Sequence, residues 1–231
     1  MNLNSPTEAT MPRTLNPRVS ISDKQRKYEI AAVLTTGIGK IIFMDMLEWR
    51  LPFILIAITG WAGYVIYQGG RMPETLRYWG FRLDNFREVM FRILPFGIVS
   101  VIAFFLVGYL RDSIHLTWHI IPILILYPVW GVIQQFLVIA LVAGNLQDLK
   151  QRRLNDFVIV TVTALLFGLI HYPFYWLIAG TFVLALLYGF IYLKARNVYV
   201  MGLFHGWLGG LFFYTVVDRD PFAEVFGKFL E

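Results

Sequence analysis

Seven apolar runs constrain this chain more than any other feature. They fall at 30–46, 51–68, 91–110, 120–143, 157–172, 174–192 and 198–217. A helix needs roughly 20 apolar residues to cross a hydrocarbon layer of about 30 Å, and most of these runs approach that length. The first is the most interrupted, by Lys40 and Asp45. The fifth and sixth are separated only by Tyr172-Pro173, where proline cannot continue the helical ladder. Composition agrees: 58% of the 231 residues are hydrophobic and 15% charged. Soluble domains are nearer 45–50% and about 25%. Aromatics at 17% suit interfacial belts as well as a core. The expected fold is an all-α membrane protein, a polytopic bundle of about seven transmembrane helices.

Loop charge gives an orientation. With seven spans, one side of the bilayer receives fifteen of the 20 Lys and Arg residues, among them Arg77, Arg82, Lys150, Lys194 and Arg196. The other side receives Arg50, Arg111, Arg219 and Lys228. The positive-inside rule puts the richer side in the cytoplasm, hence N-in and C-out. The net charge of +5 then reports topology and anionic headgroups, and nothing points to nucleic acid. The organisation expected is a polar cytoplasmic arm at 1–29, a transmembrane bundle at 30–217 and a short tail at 218–231. The arm lacks an apolar segment with a small-residue cleavage site, so no signal peptide is expected there. In the 69–92 loop, Leu76, Trp79, Leu83 and Phe86 recur at three- and four-residue steps. They predict an amphipathic interfacial helix near 74–88. No cysteine is present, which excludes disulfides, thiolate nucleophiles and Cys-ligated zinc. No metal-binding or cofactor-binding residues are assigned, and cofactor use stays open.

Three polar spots interrupt the last four runs: Gln134-Gln135, Phe167-Gly-Leu-Ile-His171 and His205-Gly-Trp-Leu-Gly209. Polar groups at membrane depth are expensive and are functional candidates by default. Phe167 and His171, four apart, share a helix face. Gly202, Gly206 and Gly210 form a small-residue stripe for close helix packing, and His205 lies one residue off it. Gln134 and Gln135 point about 100° apart, so at least one faces the bundle interior.

Together these spots resemble the CPBP family of CAAX-processing and bacteriocin-processing (Abi-like) intramembrane proteases. That family carries Glu-Glu-x-x-x-Arg, then Phe-x-x-x-His, then His-x-x-x-Asn or a similar third motif. The likeness covers about residues 75–215, including Gly80-Phe-Arg82 and the Gly189–Arg196 stretch before the third spot. It implies a core formed by the last four helices and a reaction at a membrane-proximal peptide bond. It also implies roles for the motif positions Gln134, Gln135, Phe167, His171, His205 and Gly209. The family's first glutamate activates water, and its histidines and asparagine orient that water or stabilise the oxyanion.

Gln134 and Gln135 match glutamate in shape but supply no base, because an amide oxygen accepts a hydrogen bond without useful basicity. Ile139 replaces the arginine and Gly209 the asparagine. Between Ser113 and Val217 the only acids are Asp148 and Asp156, both in the loop 144–156. Asp45, elsewhere at membrane depth, is expected to pair with Lys40. The reading that follows is a CAAX protease-like pseudoenzyme of the cell membrane. It would bind or scaffold a transmembrane or lipidated protein in the helix groove, with the oligomeric state open. Gln134→Glu, alone or with Gln135→Glu and Ile139→Arg, would restore activity. One alternative is an active endopeptidase with a histidine base or Asp45. Another is a haem- or pigment-binding subunit with His171 or His205 as axial ligand. At about 1.5 Å per residue, His171 falls in the opposite half of the membrane from Gln134 and His205 unless a helix is kinked or displaced.

Overall fold

A computed structural model describes residues 21–150 and 154–230. Most of the arm expected at 1–29 therefore lies outside the described residues. The helices are α1 (Asp23–Gly39, continuing as a wide π-helical turn over Lys40–Met46), α2 (Arg50–Arg71), α3 (Pro73–Trp79) and α4 (Phe86–Arg111). They are followed by α5 (Ile120–Asp148), α6 (Asp156–Leu169), α7 (Tyr175–Lys194), α8 (Val198–Val217) and α9 (Pro221–Leu230). The fold is all-helical, and the protein is a multi-pass helical membrane protein. Among the described residues α2, α4, α5, α7 and α8 are long and apolar enough to cross a bilayer. The other two apolar runs are helical as well. The helix of the first begins at Asp23, inside the stretch expected to be polar arm. Its Arg26 and Glu29 are buried. That of the fifth is the 14-residue α6.

Side-chain contacts fasten these helices at two opposite ends. At one end, Arg196 Nη2 lies 2.9 Å from Asp148 Oδ2 and donates to Gln147 Oε1 at 3.1 Å. There Arg26 donates to Asn145 Oδ1 at 3.1 Å, and Tyr192 donates to the Trp79 carbonyl at 2.9 Å. Tyr78 donates to Asp148 and accepts from Arg26 in the same cluster. Burial pushes the Tyr78 phenol up from its ordinary value of 10.0, so it stays a donor. At the other end, Arg111 donates to the Val216 carbonyl at 2.8 Å and Ser113 to the Thr215 carbonyl at 2.8 Å. His119 Nδ1 meets Asp220 Oδ2 there at 2.5 Å.

The amphipathic helix expected near 74–88 is shorter. It stops at Trp79, because Gly80 takes a left-handed conformation with φ of 91° that only glycine adopts cheaply. A Cβ there would stand 3.0 Å from the backbone of Arg196 and Asn197. The Gly80 carbonyl accepts from the Val198 amide at 3.0 Å, so the turn docks on the start of α8. Trp79 is fully buried instead of resting on an interface. The tail expected at 218–231 carries α9.

Helices α5 and α8 make the closest pair, and glycines are the cause. A Cβ on Gly202 would collide with the Val132 backbone, one on Gly206 with Pro128 and Tyr127, and one on Gly131 with the Gly202 carbonyl. Without side chains at these crossings the two backbones touch. Residues within one turn of these crossings are then brought together, and Gln135 lies opposite His205.

Candidate functional site

A cavity of about 530 Å³ opens between α1, α2, α4, α5, α6, α7, α8 and α9. Gln134, Phe167, His171, His205 and Gly209 all line it. Gln135 does not. It is fully buried behind the wall, and its amide Nε2 lies 3.0 Å from His205 Nδ1. The roughly 100° step between neighbouring helical residues separates the two glutamines in this way. With Nε2 as donor, His205 accepts at Nδ1 and carries its proton on Nε2. Gln135 Oε1 has no partner in the described structure.

His171 is oriented from its own helix. Its Nδ1 lies 2.7 Å from the Phe167 carbonyl, which can only accept, so Nδ1 bears the hydrogen. The neutral ring then carries its lone pair on Nε2. Thr181 Oγ1 stands 3.4 Å from the same Nδ1 and donates to the Leu177 carbonyl at 2.6 Å. The Phe167 ring packs against both imidazoles, its centroid 5.2 Å from that of His171 and 5.5 Å from that of His205.

The convergence of depths has two structural sources. Helix α6 spans 14 residues, about 21 Å at 1.5 Å per residue, so its C-terminal turn stops short of a full crossing. His171 sits just past that end, in the turn that holds the cis Tyr172-Pro173 bond. Helix α5 contains Pro128 and widens into π-helical turns over Phe136–Gly144, which displaces it relative to a straight helix.

At position 209 the wall has a gap. A Cβ on Gly209 would meet nothing within 4 Å. Ile139, where the resemblance expects arginine, is fully buried in the apolar core. The expected pair of Lys40 and Asp45 is present, with Nζ 2.7 Å from Oδ2, and both residues line the cavity. Lys40 Nζ also donates to the Ile170 carbonyl at 3.0 Å, one residue before His171. The wide turn over Lys40–Met46 thus delivers a carboxylate to the same chamber as the two histidines.

Sequence reasoning missed a further part of the lining. Arg50, Arg219 and Glu224 face the cavity at the end where α9 crosses it. Arg219 Nε and Nη2 hold Glu224 at 2.5 and 2.6 Å, and Arg50 Nη1 reaches it at 3.3 Å. The signal was there: Phe222, Val225 and Phe226 mark an apolar face of α9, and Glu224 follows Arg219 by five residues. No group of three or more His, Cys, Asp or Glu among the described residues could hold a metal ion.

Chemically, the chamber offers one imidazole with a free lone pair, a second imidazole backed by an amide, and two carboxylates, each held by cations. Residues 42–210 match the family described as "Type II CAAX prenyl endopeptidase Rce1-like". Comparison with curated proteins and with solved structures found no match.

Proposed function

Because the chain belongs to the family of type II CAAX prenyl endopeptidase Rce1-like proteins, we propose that it keeps the family's membrane chamber for holding a lipidated or transmembrane segment of a partner protein, with peptide cleavage weakened or lost. One observation carries this reading: of the glutamine pair, the one that lines the cavity together with both histidines is the amide Gln134. Hydrolysis needs a group that takes a proton from water as the nucleophile attacks. An amide at that place can orient water and cannot deprotonate it. Gln135 retains the part of the arrangement that an amide performs well, a hydrogen bond to His205 Nδ1.

The chamber itself supports binding. Its volume lies within the 300–1,000 Å³ typical of small-ligand sites, and its wall is mostly apolar with few polar groups. The bundle would lie in the cell membrane with its N-terminus in the cytoplasm, as loop charge indicates. A second reading, an active endopeptidase, has its own observation: Asp45 shares the chamber with His171, whose Nε2 lone pair is available.

The test uses purified full-length protein and a prenylated peptide with a C-terminal CAAX sequence. Binding without cleavage is expected, and Gln134→Glu gains turnover that His171→Ala removes. Wild-type turnover abolished by His171→Ala would overturn the pseudoenzyme reading. Its loss in Asp45→Asn would assign the base to Asp45.

A further inference from the structure

We propose that the α9 end of the cavity is a carboxylate site, occupied in this structure by the chain's own Glu224, and that its external ligand is a long-chain carboxylic acid drawn from the membrane. This inference uses the chamber independently of whether peptide bonds are cleaved there.

The chemistry of the head is visible because a carboxylate already sits in it. Arg219 grips Glu224 through two nitrogens at 2.5 and 2.6 Å, the bidentate fork that suits carboxylate best. Arg50, from a different helix, adds a contact at 3.3 Å. Arg219 is fixed in turn, its guanidinium 3.9 Å from the Phe174 ring centroid. Arg219 therefore has an anchor apart from Glu224 and forms the prepared part of the receptor, while Arg50 adds a second positive charge beside it.

Glu224 is the replaceable member. It lies on the ten-residue helix α9, whereas Arg219 precedes that helix and Arg50 opens α2. Arg50 reaches that helix from α2 by a single ion pair. As the external carboxylate enters, the Glu224 side chain, already 28% exposed, turns outward to solvent, so the charge of the chamber is unchanged and no arginine is stranded in an apolar wall.

Trp130, Ile133 and Leu137 belong to the apolar remainder of the same cavity wall. A hydrocarbon chain that moves there from lipid gains little, because lipid tails are as apolar as the wall. Selectivity must therefore reside in the head. The acid should bind and its methyl ester should not, because an ester carbonyl accepts a hydrogen bond but brings neither the charge nor the second equivalent oxygen that the Arg219 fork pairs with.

The experiment uses full-length protein in nanodiscs of zwitterionic lipid, titrated with doxyl-labelled stearic acid while tryptophan fluorescence is read. Saturable quenching that disappears in Trp130→Phe is expected. Glu224→Gln, which weakens the internal competitor, should lower the half-saturating concentration several-fold. Arg50→Gln combined with Arg219→Gln should raise it at least tenfold. The doxyl-labelled methyl ester should give only linear, unsaturable quenching on wild-type protein. An ester that saturates at the same concentration as the acid overturns the proposal, and this arm needs no variant. An unchanged midpoint in Glu224→Gln, with the variant eluting as a single folded species, overturns the exchange with Glu224. Peptide turnover is read separately, so failure of the chamber's proposed function and failure of this site are distinguishable.

Discussion

Position 209, where the resemblance expects asparagine, is a glycine facing open space. The wall there is open, with no atom within 4 Å of where a Cβ would stand. Gly209→Asn should therefore be accepted with a shift in unfolding temperature of no more than about 2 °C, since no overlap has to be relieved. Position 139 is the opposite case. Ile139 has no exposed surface, and among its neighbours are other buried apolar side chains. An arginine there would be a buried charge without a partner and should cost at least about 3 kcal/mol. For a chain of this length that is a fall of about 6–12 °C, readable by intrinsic fluorescence on heating. On the proposed reading the combination expected to gain peptidase activity is accordingly Gln134→Glu with Gly209→Asn, and Ile139→Arg should destabilise the fold before it adds function. An Ile139→Arg variant as stable as wild type would sink this argument. The sequence made the motif positions legible because amides and imidazoles stand out in apolar helices. It left open which glutamine faces the chamber, since adjacency fixes only the angle between them. The contacts at Gly131, Gly202 and Gly206 decide that, and they belong to two helices seventy residues apart.

At the scale of elements, the helix positions follow closely from apolar runs, and the departures have local causes. Gly80 cuts short the helix expected to reach residue 88, because its φ of 91° ends a helix whatever the hydrophobic period beyond it. The short α6 and the wide turns of α1 and α5 put His171, Asp45 and Gln134 in one chamber. Hydrophobic periodicity does not encode such turns, as an extra residue per turn keeps every side chain apolar. Pairing of α5 with α8 yields a contrast within one helix. Gly202→Ala and Gly206→Ala must push backbones apart and should each cost about 1–3 kcal/mol, while Gly209 on the same helix tolerates a larger side chain. Equal stability of Gly206→Ala and Gly209→Ala would contradict a backbone contact at that crossing.

Helix α9 has its own anchor. Asp220 accepts from the Phe222 and Ala223 amides at 3.0 Å each and from Tyr214 at 2.8 Å, and it meets His119. Burial alone would raise its pKa, but the hydrogen bonds from His119, Ala223 and Tyr214 outweigh burial and hold it below the usual carboxylate value. A group depressed in the folded state contributes stability above its unfolded pKa, near 3.8, and loses it as pH falls through the folded value. Asp220→Asn should therefore unfold earlier than wild type at pH 6, with the gap closing below about pH 4. A gap that persists unchanged at pH 3 would mean that the carboxylate charge is not what fastens α9.

The whole molecule is a set of helices that alternate between two ends, and the ends differ in charge. Side-chain contacts put the start of α1, α3, the end of α5 and the junction of α7 with α8 together, around Asp148 and Arg196. They put the turn after α1, the start of α2, the turn after α6 and the α8–α9 junction at the other end, around Lys40, Glu224 and Arg219. The loop charges sort onto the same two ends, with the Lys- and Arg-rich loops beside Arg196 and the sparse ones beside Glu224. The orientation proposed from the positive-inside rule takes the first end as the cytoplasmic one. The carboxylate site and α9 then face away from the cytoplasm, while the docked Gly80 turn faces it. Because the chain has no cysteine, a single introduced thiol reports its side without background. Lys24 and Leu116 are both exposed and lie at opposite ends. On intact cells a membrane-impermeant maleimide should label Leu116→Cys and leave Lys24→Cys unmodified until the cells are permeabilised. The reverse pattern would invert the bundle and place the carboxylate site on the cytoplasmic face. Labelling of both positions in intact cells would mean that the chain does not take one orientation, and loop charge would then not govern it.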